Sequence, residues 1–308
     1  MSLRLTILGC HSATPRSHGH TSSQYLEVNN EGFLIDCGEG SQAQLRNYKI
    51  KFSRIKRIFI SHLHGDHFFG LIGLIATFGL LNRKSELHIH GPKGIKKIIL
   101  MQLKLSGSWV AYPLHFHELE AMESELIFEN EKVEVHTIPL SHRIYTNGFL
   151  FREKPLPRNL NMTAISKYPE IEICDYQNLK KGRDYKMEDG SIIPNEELNF
   201  YQPKILQYSY CSDTAYDEKI IPLIKDIDLL YHESTFLEDN KELAQITKHA
   251  TALEAATIAK KANVKQLILG HYSSRYKDTT FFQEEAKIKF SNTILAEAGK
   301  EFILNNQN

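Results

Sequence analysis

Six consecutive residues, His62-Leu63-His64-Gly65-Asp66-His67, hold four potential metal ligands, and they follow an apolar run, Ile58-Phe59-Ile60, that reads as a buried strand. Side chains alternate across an extended chain, so His62 and His64 share a face and can share one ion. Gly65 permits a tight turn, which presents Asp66 and His67 to a second position close by. Imidazole and carboxylate together suit zinc, and also manganese or iron. The spacing predicts a dinuclear metal site directly after a strand.

The rest of the chain reads as alternating strands and helices. Strands are expected at Leu3–Gly9, Gln24–Val28, Phe33–Asp36, Leu87–His90, Val133–Leu140, Ile205–Cys211, Asp228–His232 and Gln266–Leu269. Helices are expected at Ser41–Tyr48, Gly94–Leu105 and Leu253–Ala262, where apolar residues recur at helical spacing. Phe68–Leu81, mostly apolar and directly behind the metal loop, reads as a helix in the core or at a subunit contact; it is too short to span a bilayer. The candidate ligands fall just after strands, where α/β folds commonly place their chemistry.

Composition adds bounds. With 308 residues, 42% of them hydrophobic, the chain has enough apolar surface for one large domain. Cys10, Cys37, Cys174 and Cys211 are scattered without a paired framework, which predicts reduced, buried thiols and a cytoplasmic setting. The first ten residues read as a strand rather than a signal peptide. Net charge is zero, so any affinity for a polyanion must come from local clusters. One is Arg46, Lys49, Lys51, Arg54, Lys56 and Arg57; a second is Lys93, Lys96 and Lys97; a third is Lys180, Lys181 and Arg183. Each by itself is an ordinary solvated face, and together they modestly favour a polyanionic substrate.

H-x-H-x-D-H resembles the signature of the metallo-β-lactamase superfamily, and the resemblance continues along the chain. Asp36 in Phe33-Leu34-Ile35-Asp36-Cys37-Gly38-Glu39 is similar to the first motif of that superfamily, and His142, Asp213 and His271 match its later ligand positions. Gly91-Pro92-Lys93-Gly94, Lys180-Lys181-Gly182, His232-Glu233-Ser234-Thr235 and Lys248-His249-Ala250-Thr251 resemble the short form of the ribonuclease Z family, which removes 3′ trailers from tRNA precursors. The resemblance spans nearly the whole chain. It implies an α/β fold of the metallo-β-lactamase type, an αββα four-layer sandwich with a protruding arm, as a single domain over residues 1–308.

The arm is expected at about residues 152–202, a stretch rich in proline, lysine, asparagine and glutamate, and long for a loop in a compact domain. Tyr185–Ile193 within it reads as a short hairpin. In the family the equivalent insertion grips tRNA, and Lys180, Lys181 and Arg183 are the candidate RNA contacts. Two segments depart from the family pattern. Tyr168-Pro169-Glu170-Ile171-Glu172-Ile173-Cys174 stands where a Gly-Pro-rich turn is usual. Pro15-Arg16-Ser17-His18-Gly19-His20 stands where a P-x-K-x-R-N loop reads the tRNA 3′ end, with Arg16 or His18 as candidate substitutes.

The resemblance assigns roles. His62, His64 and His142 would bind one zinc ion and Asp66, His67 and His271 a second, with Asp213 bridging. Two cations about 3.5–4 Å apart can activate a water and offset charge on phosphate oxygens. Asp66 would act as general base and His249 as acid for the leaving 3′ oxygen. Asp36 and Glu233 are suited to hold the second nitrogens of ligand histidines, with His232 or Thr235 as further contributors. His11, His18, His20, His88, His90, His115, His117 and His136 are taken as structural; His88/His90 and His115/His117 have strand spacing but no third ligand in the nearby sequence. The expected activity is a zinc-dependent tRNA 3′-processing endoribonuclease acting as a cytoplasmic homodimer, with no membrane role. Two alternatives stand: a small-molecule phosphodiesterase or ester hydrolase on the same fold, and a non-catalytic RNA-binding scaffold.

Overall fold

The computed structural model describes residues 2–14, 19–155, 157–200 and 204–305. The chain divides into two units, residues 2–153 with 206–305, and residues 154–205. In the larger unit the strands are β1 (Ser2–Gly9), β2 (Ser23–Val28), β3 (Glu31–Ile35), β4 (Ile55–Phe59), β5 (Leu87–Pro92), β6 (Leu114–Leu119), β7 (Leu126–Glu129), β8 (Val133–Pro139) and β9 (Asn147–Glu153). The smaller unit contributes β10 (Tyr185–Lys186) and β11 (Ile192–Ile193). The larger resumes with β12 (Gln207–Cys211), β13 (Leu229–Glu233), β14 (Gln266–Gly270), β15 (Thr293–Leu295) and β16 (Glu301–Asn305).

Two seven-stranded sheets result, ordered β16-β1-β2-β3-β4-β5-β6 and β15-β14-β13-β12-β9-β8-β7. Both follow one plan. From β16 to β3, and from β7 to β12, pairings are antiparallel; from β3 to β6, and from β12 to β15, they are parallel.

Strand alternation explains the layers. Leu3, Leu5 and Ile7 of β1, Phe33 and Ile35 of β3 and Phe59 of β4 enter the core between the sheets, while Leu8, Leu34 and Ile58 point outward into a second core. Across the sandwich, Phe33 meets Phe151 at 5.5 Å between ring centroids and Phe59 meets Phe149 at 5.4 Å. The outer face of the first sheet is covered by the helices Leu71–Leu80 and Ile95–Leu105. The second sheet is covered by the helix Ala252–Lys261, whose Ala252, Ala255, Ala256 and Ala259 let it lie close. This is the αββα sandwich.

Several sequence expectations need correction. The helix expected over Phe68–Leu81 is broken: Gly65–Phe68 and Leu71–Leu80 are separate. The break falls where Gly70 N–H donates to Cys37 O at 2.9 Å, and where a Cβ on Gly70 would collide with the Gly38 carbonyl. Cys10, Cys37 and Cys211 are buried, but Cys174 is exposed. The arm begins later than expected, because Arg152 and Glu153 still belong to β9. The smaller unit has its own core of Ile165, Ile171, Leu179, Ile193 and Leu198, and β10 and β11 pair as the expected hairpin. Pro15, Arg16, Ser17 and His18 lie outside the described residues. No helix among the described residues is long and apolar enough to cross a membrane.

Candidate metal centre

The strands on the parallel sides of both sheets deliver their following residues to one place. β3 leads to Asp36, β4 to Ser61 and His62, β12 to Asp213, β13 ends on Glu233, and β14 leads to His271. Beyond β8 the chain supplies His142. Two of these residues hold left-handed backbone, Asp36 at φ 54° and His271 at φ 62°. Non-glycine residues seldom adopt that conformation, and it is held here by surrounding contacts. His271 N–H donates to Cys10 O at 2.7 Å, and Asp36 N–H to Phe59 O at 2.8 Å.

Two donor clusters adjoin. In the first, His62 Nε2 lies 3.0 Å from His64 Nδ1, and His64 Nδ1 lies 3.4 Å from His142 Nε2. Asp213 Oδ2 closes it, 3.5 Å from His62 Nε2 and 3.8 Å from His142 Nε2. In the second, His67 Nε2 and His271 Nε2 are 3.2 Å apart, and Asp66 Oδ2 is 3.5 and 3.4 Å from them. Asp213 Oδ1 lies 3.3 Å from His67 Nε2 and 3.1 Å from His271 Nε2. Each cluster is thus a set of donors turned inward, with one oxygen of Asp213 in each.

These separations match a metal well. Bonds of about 2.0–2.1 Å in a tetrahedron put ligand atoms about 3.3–3.4 Å apart. Hydrogen bonding accounts for them poorly, because so many lone pairs converge with too few protons to link them. Burial and the neighbouring His62 lower the His64 imidazole to about 4, and burial above all lowers His142 to about 4, so both offer lone pairs at neutral pH. Burial alone would raise the Asp66 carboxyl, but His67 and His271 hold it well below the usual carboxylate range.

An outer layer fixes the rings. Asp36, fully buried, has Oδ2 2.7 Å from His67 Nδ1 and accepts hydrogen bonds from Ser61 N–H, Ser61 Oγ and Tyr210 Oη. Glu233, also fully buried, accepts from Thr214 N–H, Thr235 N–H and Thr235 Oγ1. Thr235 Oγ1 in turn lies 2.9 Å from His271 Nδ1, while His142 Nδ1 lies 2.7 Å from the Lys248 carbonyl.

His249 sits between two helix ends. Lys248 closes the helix Lys241–Thr247 in a left-handed conformation, and Thr251 opens the next with a capping box to Glu254. His249 Nδ1 lies 2.8 Å from Glu233 Oε1. Burial opposes charge on this ring, yet the Glu233 carboxylate raises it to about 9. A cavity of about 500 Å³ opens over the clusters, lined by Ala13, Asp66, Phe69, Arg143, His249 and His271 among others.

All seven sequence-predicted ligands meet here, with Asp36, Glu233 and His249 around them. Sequence reasoning missed Tyr210 and Ser61 on Asp36, the Ala13 N–H that donates to Asp66 Oδ2 at 2.7 Å, and Arg143 in the cavity wall. Only Arg143 had a local signal, its place directly after His142. The basic residues of the arm form a different feature. Lys180 ends the helix Tyr176–Lys180, Lys181 and Arg183 are exposed, and Asn195 Nδ2 donates to Leu179 O and Arg183 O, which fixes the turn between them. The three arginines of the Arg46–Arg57 cluster are committed elsewhere. Arg54 pairs with Glu27 at 2.7 Å, Arg57 covers the Phe128 ring at 3.8 Å, and Arg46 lies over Phe52 at 5.2 Å.

A family model described as "Anti-Pycsar protein Apyc1" matches residues 3–157, which carry most of the first sheet and the H-x-H-x-D-H segment. The chain is 45% identical over 302 residues to a ribonuclease Z of Bacteroides thetaiotaomicron, covering 98% of this chain and 95% of that protein. It is 46% identical over 309 residues to one of Cytophaga hutchinsonii, covering 100% and 98%. Among solved structures, human tRNase Z, short form, superposes with a TM-score of 0.72 at 27% identity, over 97% of this chain and 98% of that one. The metallo-β-lactamase fold protein YhfI of Bacillus subtilis shares the fold, with a TM-score of 0.69 at 19% identity over 98% and 99%.

Fold and site together define a metal-dependent hydrolase of the metallo-β-lactamase fold. Over its first half the chain belongs with the family of the matching model. Over its whole length it belongs to the ribonuclease Z family.

Proposed function

We propose that the chain is an endoribonuclease that removes the 3′ trailer from tRNA precursors by two-metal hydrolysis. The observation that carries this reading is Asp213, whose two carboxylate oxygens face separate donor clusters, in a chain whose ribonuclease Z relatives match it through the arm as well as the sandwich.

In this reading His62, His64 and His142 would hold one zinc ion and Asp66, His67 and His271 a second, with one oxygen of Asp213 available to each set. When filled with such ions, these residues would present Lewis-acid charge to a phosphoryl group and lower the pKa of a nearby water. Asp66 receives the proton that the attacking water loses, with its carboxylate kept in position by Ala13 N–H. His249 has Nδ1 committed to Glu233, which leaves Nε2 to protonate the departing 3′ oxygen. The Glu233 carboxylate beside Nδ1 favours the protonated ring. The products are a tRNA with a 3′ hydroxyl and a trailer with a 5′ phosphate. Lys180, Lys181 and Arg183 of the arm grip the RNA, and the enzyme works as a cytoplasmic homodimer of single-domain chains.

The test incubates zinc-loaded protein with a 3′-extended tRNA precursor and maps the cut, with an unstructured RNA as control. One chelator-sensitive cut just after the discriminator base is the expected result. An intact precursor alongside clear hydrolysis of a generic phosphodiester overturns the RNA substrate in favour of a small molecule. Binding of the precursor with hydrolysis of neither favours the non-catalytic scaffold.

A further inference from the structure

A second group of potential ligands lies in the first sheet at the opposite end of the parallel strands from the dinuclear cluster. Parallel pairing of β5 and β6 sets His88 opposite His115 and His90 opposite His117. The rings stack into one ladder, with centroids 4.7 Å apart for His88–His115, 5.3 Å for His88–His117 and 4.3 Å for His90–His117. Glu86, just before β5, closes the ladder at its outer end. Its Oε1 lies 3.3 Å from His88 Nε2 and its Oε2 lies 3.6 Å from His115 Nε2. One donor atom from each of the three residues falls within 4.8 Å of the other two. Glu86 lies two residues before His88 in the sequence, but His88 and His115 come together only through strand pairing.

The hydrogen bonding of this group is incomplete. His88 Nδ1 lies 3.0 Å from His117 Nε2, a contact that takes one proton between two rings. His88 Nε2 is buried and faces the Glu86 carboxylate at 3.3 Å without good hydrogen-bond geometry. When His88 carries its proton on Nδ1, the Nε2 lone pair faces an anionic oxygen, and a cation between them removes the conflict. Arg57, the nearby cation, is drawn onto the Phe128 ring. Separations of 3.3 and 3.6 Å are those of ligand atoms sharing one ion with bonds of about 2.0–2.2 Å.

We propose that Glu86, His88 and His115 form a third metal site, for a zinc-class dication, with His117 as a positioning residue that orients His88. Two imidazoles and a carboxylate, with one position open to water, are an ordinary zinc donor set. The site ties β6, the edge strand of the sheet, to β5. It is independent of what the dinuclear centre cleaves.

Holoenzyme whose dinuclear centre is already filled is titrated with Zn²⁺ by calorimetry, and bound zinc per chain is checked by elemental analysis. The wild type should take up one more equivalent than His115→Ala or Glu86→Gln, with hydrolysis of a generic phosphodiester unchanged in all three. His117→Ala should weaken the extra uptake by about 10–100-fold without abolishing it. Both ligand positions are well exposed, His115 at 46% and Glu86 at 59% of the side chain, so these variants should fold, and Glu86→Gln keeps the shape. Equal uptake by wild type and both ligand variants would overturn the site.

Discussion

Asp36 and Asp66 show how differently two carboxylates beside one metal cluster are used. Asp36 is fully buried and takes contacts from His67, Ser61 and Tyr210, so its removal strands several donors at once. Asp36→Ala should cost about 3–5 kcal/mol in the urea-unfolding free energy, as breaking a buried charged network does. It should also weaken metal retention by about 10–100-fold in a chelator competition. Asp66 opens onto the cavity and, among the described residues, takes a backbone hydrogen bond from Ala13 N–H. Asp66→Ala should therefore leave the circular dichroism spectrum unchanged while turnover falls by at least about 100-fold; near-normal turnover removes Asp66 from the mechanism.

The H-x-H-x-D-H segment was legible as a ligand set because its donor types crowd together directly after a strand, whereas His142, Asp213 and His271 were legible only through the resemblance to the metallo-β-lactamase superfamily. Their supports were not legible. Tyr210 reaches Asp36 across 174 residues of sequence, and the Lys248 carbonyl reaches His142 across 106. Such pairings are set by which strands adjoin, and no local pattern encodes them.

At the scale of elements, the arm is inserted between β9 and β12, which are antiparallel partners. Arg152 faces Gln207, and Glu153 N–H donates to Leu206 O at 3.0 Å, so the two strand ends already meet and a short turn can join them. Replacing residues 157–200 with such a turn should leave hydrolysis of a small phosphodiester intact and abolish cutting of the tRNA precursor. Persistence of both activities would detach RNA recognition from the arm. The helices taught a second lesson. Apolar periodicity ran through Phe68–Leu81, yet the helix stops at Phe68 and restarts at Leu71, because Gly70 must approach the backbone of Cys37 and Gly38. Close backbone approach is a tertiary demand that periodicity cannot register.

At the scale of the molecule, the two donor clusters draw on both sheets. His62, His64, Asp66 and His67 follow β4 of the first sheet, whereas His142, Asp213 and His271 follow strands of the second. Ions shared across that boundary bind the folded state alone, so they should stabilise it by mass action. At free zinc about 1,000 times the dissociation constant the gain is about 4 kcal/mol. Chelation should accordingly lower Tm by roughly 10 °C, on the scale of about 2–4 °C per kcal/mol for larger domains. An unchanged Tm after verified metal removal would mean that the sheets hold the site without help from the ions.

The sequence by itself determined the donor chemistry of the H-x-H-x-D-H segment and most strand positions, though fewer than half of the helices, because donor types, turn glycines and hydrophobic periods act over a few residues. It also marked the arm as a departure from the α/β pattern. Only the tertiary structure decided which donors share a cluster, how Asp213 divides its oxygens between them, and that Glu86, His88 and His115 converge. Those are distances between residues far apart in the chain, and sheet order and register set them.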